Sequence, residues 1–234
     1  MAFVGNGDAH DYSCSTVTSV TMTYTSTVGN TLAIMVFGVP QGTPVEAGVT
    51  ITDNAAGGSS TFVHPTGAYA TDAASNYAWL FYCNSCKAAT SFTIALNGGT
   101  QTGAQFVLAV LAEYSGWGNF SAFGIPNFQL NPTPSANVLV SGSASLASGA
   151  HVWGCSVDYS GGTNTTLTHG TSPITFASDF SNTALNPYGI ESGAAPSAAS
   201  YAATFGIPAG TDTYVTGMLA FAAAPAVLMG AMVM

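Results

Sequence analysis

The chain has 234 residues, enough for a large apolar core, with ten Asp or Glu residues against a single Lys or Arg and a formal net charge of −9. Charged residues make up 5% of it, against about 25% in ordinary soluble domains. The one cation is Lys87. This balance excludes nucleic-acid binding, which needs cations to displace counterions from phosphate, and docking on an anionic membrane surface.

Gly, Ser and Thr are abundant and helix-forming charged residues are scarce, a profile of many short strands joined by turns. In chain order, Phe3-Val4 opens a first strand, and Asp8 to Asp11 reads as a polar turn. Cys14 to Thr27 reads as an edge-like strand with Val17, Val20 and Met22 on a buried face. Gly29-Asn30 turns into Thr31 to Val39, an apolar run. Pro40 to Pro44 is a loop. Val49 to Thr52 alternates as a short strand, and Asp53 to Ser60 is turn-rich. Asn76 to Cys83 and Ser91 to Leu96 are further strands, separated from the next by the turn Asn97-Gly98-Gly99.

Gln105 to Gly116 is the most apolar run, β-branched and aromatic, and fits a central strand buried on both faces. Glu113 stands near its end, where the expected role is to accept hydrogen bonds and pin the following turn. Trp117 to Phe128 reads as an aromatic loop. Beyond it the pattern repeats more weakly. Asn137 to Ser141, His151 to Val157, Ser200 to Gly206 and Thr213 to Ala223 are strands, and Asp158-Tyr159-Ser160-Gly161 echoes Glu113-Tyr114-Ser115-Gly116. The sum is an all-β chain: a single antiparallel β-sandwich, jelly-roll-like, of roughly ten or eleven strands. The expected domain covers residues 1–224, with an apolar tail at 225–234.

Several segments invite a chemical reading. Cys83-x-x-Cys86 is half of a zinc-ribbon spacing, but the second half is missing. Cys14, Cys83, Cys86 and Cys155 could form disulfides whose pairing the sequence leaves open. Asp53-Asn54 and Asp72 offer oxygens, but no calcium loop pattern surrounds them. Glu113 has no acidic neighbour two or four residues away, so a paired-carboxylate hydrolase is disfavoured. Ser115 and Ser160 lie in Tyr-Ser-Gly turns that do not match a nucleophile elbow. The expectation is therefore no catalytic residue, no cofactor and no metal. Trp117, Phe120, Phe123 and Phe128 form the candidate recognition loop, for a glycan or a neighbouring subunit. Val227, Leu228, Met229, Met232 and Met234 form the candidate subunit contact, because an exposed apolar, Met-rich stretch marks an interaction site.

Taken together, Phe3-Val4, Gly29-Asn30-Thr31-Leu32-Ala33-Ile34, Ile51-Thr52-Asp53-Asn54, Trp79-Leu80-Phe81-Tyr82, Ser91-Phe92-Thr93-Ile94, Glu113-Tyr114-Ser115-Gly116 and Ala220-Phe221 carry a resemblance. The chain resembles a recurrent family of functionally uncharacterised β-sandwich domains found in secreted bacterial proteins and in phage virion-associated proteins. That resemblance implies a jelly-roll or lectin-like sandwich and no particular reaction. The start of the chain has neither a basic n-region nor an apolar h-region, so it does not read as a signal peptide. The expected product is a non-enzymatic structural protein of a tailed-phage particle, made in the host cytoplasm and released by lysis. Its roles would be capsid decoration, head fibre or tail-associated subunit, with copies of itself or other virion proteins as partners. The alternatives are a secreted carbohydrate-binding module, which would be extracellular, and a filament or surface-layer subunit.

Overall fold

The structure, a computed structural model, describes residues 2–11, 17–41, 45–72, 76–96, 103–130, 138–159, 166–182, 187–207 and 213–223. Among them the chain is all β, with eighteen strands and no helix. They fall into two halves around Gly116. The first contains β1 (Ala2–Asp11), β2 (Ser19–Thr23), β3 (Thr31–Gln41), β4 (Val49–Asp53), β5 (Tyr69–Thr71), β6 (Tyr77–Cys83), β7 (Ser91–Leu96) and β8 (Gly103–Ser115). The second contains β9 (Phe120–Leu130), β10 (Val138–Val140), β11 (Ala144–Leu146), β12 (His151–Asp158), β13 (Thr168–His169), β14 (Ala177–Asn182), β15 (Tyr188–Ala194), β16 (Ala199–Tyr201), β17 (Thr204–Gly206) and β18 (Thr213–Phe221).

The two halves share one strand order. The first pairs a sheet β1-β8-β3-β6-β5 with a smaller sheet β2-β7-β4. The second pairs β9-β18-β12-β15-β14 with β10-β17-β13 and adds a ribbon β11-β16. Substituting β9 for β1, β18 for β8, β12 for β3 and so on converts one half into the other.

The turns repeat too. Gly29 and Gly149, each two residues before an inner strand, have φ of 85° and 76°, a conformation in which a Cβ would be strained. Gly29 N donates to Cys86 O and Cys86 N to Asn30 O; Gly149 N donates to Ala195 O and Ala195 N to Ala150 O. The buried hydroxyls of Ser26 and Ser141 accept from the backbone N–H of Ala89 and Ala203, whose carbonyls accept the two serine N–H groups in return.

The four sheets stack in layers, small sheet, large sheet, large sheet, small sheet, and burial follows the layer. The inner strands of the large sheets are covered on both faces, so β8, β12 and β18 are nearly continuous apolar runs. β2, β4 and β7 are covered on one face and alternate, with burial falling on Val20, Met22, Val49, Ile51, Phe92, Ile94 and Leu96. One apolar cluster fills the first sandwich, around Ile34, Trp79, Phe81, Phe92 and Leu111. Another fills the seam between the large sheets, where Met35, Phe37, Leu80, Leu108 and Val110 meet Trp153, Cys155, Ile190, Val215 and Leu219. Two smaller clusters lie under the outer strands of the second half. At the seam Gly217 lets the large sheets approach: a Cβ there would sit 2.7 Å from Leu80 Cδ2 and 3.2 Å from Met35 Sδ.

Across the seam the strand orders run in opposite senses, as in an isologous pair. β6 of the first half meets β9 of the second through Tyr82 and Phe120, with ring centroids 4.2 Å apart. The equivalent contact, β15 of the second half against β1 of the first, is made by the Tyr188 hydroxyl donating to Asp8 Oδ1 at 3.1 Å.

Four expectations are corrected. The chain is not a single sandwich of ten or eleven strands; it is two sandwiches sharing a seam, because its large sheets are apolar on both faces and each needs a cover on each side. Asp8 to Asp11 is the end of β1, paired with β8. Trp117 to Phe128 is not a loop, since Phe120 onward is strand β9, paired with β18. The Glu-Tyr-Ser-Gly and Asp-Tyr-Ser-Gly echo also falls on unlike strands. Tyr114 lies near the end of β8, whose counterpart is β18, whereas Asp158 ends β12.

Candidate functional site at the seam

The connection between the halves carries the first predicted aromatic. Gly116, with φ of 73°, ends β8 and turns the chain. Trp117 then lies flat on Tyr114, with ring centroids 3.8 Å apart and planes 9° apart, and nearly parallel to His151 at 5.6 Å. It also meets Phe221 at 5.1 Å. Tyr114 and Phe221 hold equivalent places, opposite Thr31 on β3 and His151 on β12. Trp117 thus closes one end of the seam by touching the same position of both halves.

The other predicted aromatics continue along β9. Phe120 stacks on Tyr82 with planes 7° apart. Phe123 lies beside Gly67. Phe128 packs edge-on to Tyr159, with centroids 5.8 Å apart, and against Phe37 at 6.4 Å. All four are half-buried and packed on the seam core.

Three tyrosine hydroxyls cross the seam to aspartates. Tyr114 donates to Asp179 Oδ2 at 2.6 Å, Tyr188 to Asp8 Oδ1 at 3.1 Å, and Tyr159 to Asp72 Oδ2 at 3.1 Å. Hydrogen bonds to an ionised acceptor are the stronger kind. Burial raises the Asp179 carboxyl above its usual range, and hydrogen bonds from Tyr114 and Ser192 oppose the shift. Beside Tyr114 a cavity of about 290 Å³ opens, lined by Phe3, Tyr114, Trp117, His151 and Ser192. Burial lowers the pKa of His151, which favours a neutral imidazole.

Two glutamates are fully buried, one in each sandwich. Glu113 accepts from the Tyr24 hydroxyl at 2.8 Å, Thr27 N at 3.0 Å and Asn30 Nδ2. It therefore pins the turn between β2 and β3, not the turn that follows it in sequence. Glu191, on β15, accepts from Gly170 N at 2.9 Å and Thr204 N at 3.0 Å. Burial pushes the Glu191 carboxyl up to about 8, with the nearby Asp179 adding to the rise and the two backbone N–H groups opposing it. Asp158 is fully buried as well. The Glu113 and Glu191 carboxyls are thus placed inside as hydrogen-bond acceptors.

Cys83, Cys86 and Cys155 are buried free thiols, so none of them is in a disulfide; Cys14 lies outside the described residues. The Cys86 thiol donates to Thr27 O at 3.0 Å, and burial pushes its pKa up to about 11. Such thiols are poor nucleophiles. Among the described residues no group of three or more His, Cys, Asp or Glu side chains is placed to hold a metal ion. Asp53 instead accepts from Ala55 N and Ser60 N and shapes its own loop. Lys87 Nζ donates to Gly58 O at 2.8 Å. Val227, Leu228, Met229, Met232 and Met234 lie outside the described residues.

Sequence reasoning missed Glu191, the acceptor roles of Asp8, Asp72 and Asp179, and the stacking of the halves. The one available signal was polar residues set in apolar strands, as in Tyr188-Gly189-Ile190-Glu191. No family model, curated protein or solved structure matches the chain.

Proposed function

We propose that the chain is a non-enzymatic structural subunit of a virus particle, of the tailed-phage kind, serving as capsid decoration, head fibre or tail-associated subunit. The observation that carries this reading is the repeated strand order: two jelly-roll-like halves stacked through their large sheets. That arrangement yields a thick, rigid block with small sheets outward. Its buried carboxylates are spent on internal hydrogen bonds. The remaining surface is rich in hydroxyls and poor in cations, so it can sit beside released nucleic acid without adhering to it. The partners in this reading are copies of the chain or other virion proteins.

The test is the native mass and shape of the purified protein. Ordered multi-copy assemblies seen by electron microscopy support the reading, and a strict monomer at every accessible concentration overturns it. Ring-shaped or shell-like closure separates a coat subunit from a filament or surface-layer subunit, which associates head-to-tail without closing.

A second reading, a carbohydrate-binding module, is favoured by the seam cavity, where aromatic walls meet Ser192 and His151. It requires glycan binding that is lost on Trp117→Ala while the fold persists. Against it, Trp117 already stacks on Tyr114, with ring centroids 3.8 Å apart.

A further inference from the structure

Internal symmetry matches two corners of the seam residue by residue. Phe3 lies opposite Tyr114 on β8 as Phe120 lies opposite Phe221 on β18. On the facing strands, Ser192 lies opposite Trp153 on β12 as Tyr82 lies opposite Ala33 on β3. Ala33 and Trp153 are themselves equivalent, set against Ala112 of β8 and Leu219 of β18. The aromatic walls correspond: Phe3 meets Tyr114 with ring centroids 5.7 Å apart, and Phe120 meets Phe221 at 6.2 Å. The ring between the walls does not. In one corner the Tyr82 phenol lies flat on Phe120, at 4.2 Å with planes 7° apart. In the other, Ser192 stands in its place, and the cavity of about 290 Å³ opens against Phe3, Tyr114, Trp117 and His151. Trp153 is larger than Ala33 but leaves this space open, because its side chain is fully buried in the seam core and does not line the cavity.

We infer that this cavity binds a small neutral phenol, its ring lying on Phe3 as the Tyr82 ring lies on Phe120. The volume suffices, since apolar cavities of about 150 Å³ take up benzene. Stacked aromatic rings also gain more than their buried area alone supplies. The ligand hydroxyl has partners in the walls. His151 Nε2 is buried with no hydrogen-bond partner among the described residues, and buried polar atoms are ordinarily satisfied. A neutral imidazole nitrogen can donate or accept, according to its tautomer. Ser192 hydrogen-bonds to Asp179, and its oxygen can accept a further bond. The Asp179 carboxyl, held by Tyr114 in a chain of formal net charge −9, disfavours an anionic ring. Binding of this kind needs one chain only and is independent of assembly into a coat.

Chemical-shift titration of the full chain with p-cresol, the free counterpart of a tyrosine side chain, tests this. The wild-type chain is expected to bind it with a Kd of about 1 mM, well within the ceiling for so small a ligand. Ser192→Tyr supplies from the chain the ring that its counterpart carries. It is expected to keep its Tm within about 3 °C of wild type, apolar burial offsetting the lost serine hydrogen bonds, and to weaken binding by about 10-fold or more. Phe3→Leu keeps the wall apolar but removes the stacking face, and is expected to weaken binding about fivefold. It decides the matter if Ser192→Tyr does not fold. Failure of the wild-type chain to bind p-cresol, or an affinity unchanged in the folded variants, overturns the inference. Equally tight binding of p-toluate overturns the assignment to a neutral phenol. Binding of a methyl glucoside in place of p-cresol, lost in Ser192→Tyr, overturns it in favour of the carbohydrate reading.

Discussion

The first and second halves share a frame but not an interior. Gly29 and Gly149, and Ser26 and Ser141, make the same backbone bonds in both. The buried polar anchors do not correspond. Glu113 lies on β8 and gathers three donors from the β2–β3 turn. Its register counterpart on β18 is Ala220, opposite Val152 as Glu113 is opposite Leu32. The second half anchors instead through Glu191 on β15, with two backbone donors. Strand order depends on turns and on which faces are apolar, whereas an internal acceptor can be placed wherever orphan donors need one.

Four sets of measurements break or sharpen this comparison. The largest effect is expected at the seam, which makes the halves one cooperative unit. Trp153→Ala, at a fully buried seam position, is expected to cost about 5 kcal/mol. Both halves should still unfold in one calorimetric transition; two separate transitions would show that the seam does not couple them.

Next comes the pH dependence of the second half. The folded Glu191 carboxyl is raised from 4.5 to about 8, so the folded state holds a proton that the unfolded state has released. Its contribution is complete below pH 4.5 and is lost as pH rises through 8. Urea unfolding is expected to show roughly 4 kcal/mol lost across that window from this group, at about 1.4 kcal/mol per pH unit. Glu191→Gln should flatten that slope. A slope unchanged in the variant would assign it to other groups.

Glu113→Ala takes the shared acceptor from the half-buried Tyr24 and Asn30 and from the backbone N–H of Thr27. It is expected to cost about 3 kcal/mol, with hydrogen exchange fastest at the β2–β3 turn. Smallest are the cross-seam hydroxyls. Tyr114→Phe and Tyr188→Phe are expected to cost about 1.5 kcal/mol each, and Tyr159→Phe less, because Tyr114 and Tyr188 are buried whereas Tyr159 is only half-buried. Equal losses at all three, measured by thermal unfolding, would argue that burial does not grade these bonds.

The β2, β4 and β7 alternation and the continuous apolar run of β8 were legible because each pattern reports how many faces of a strand are covered. So was the burial of Glu113, a lone carboxylate in an apolar run. What stayed hidden was the partner on each face. The strand expectation over Thr213 to Ala223 matched β18, yet nothing in those residues says that β18 plays the part of β8. The Tyr-Ser-Gly echo pointed to the wrong pair of strands, because the true equivalences are kept by single Gly and Ser positions in otherwise unlike sequence. Tyr114 and Tyr159, which carry that echo, nonetheless reach across the seam to Asp179 and Asp72, acceptors 65 and 87 residues away in sequence.

By itself the sequence determined the class of structure: short pleated segments, little charge and strand patterns that fix one or two buried faces. The tertiary structure alone decided that the large sheets bury their second faces on each other, that the chain is two sandwiches, and where its carboxylates find donors. The reason is physical. Periodicity is local and is written in neighbouring residues, whereas the choice of partner is made by long-range complementarity of shape and hydrogen bonds, which no stretch of chain encodes alone.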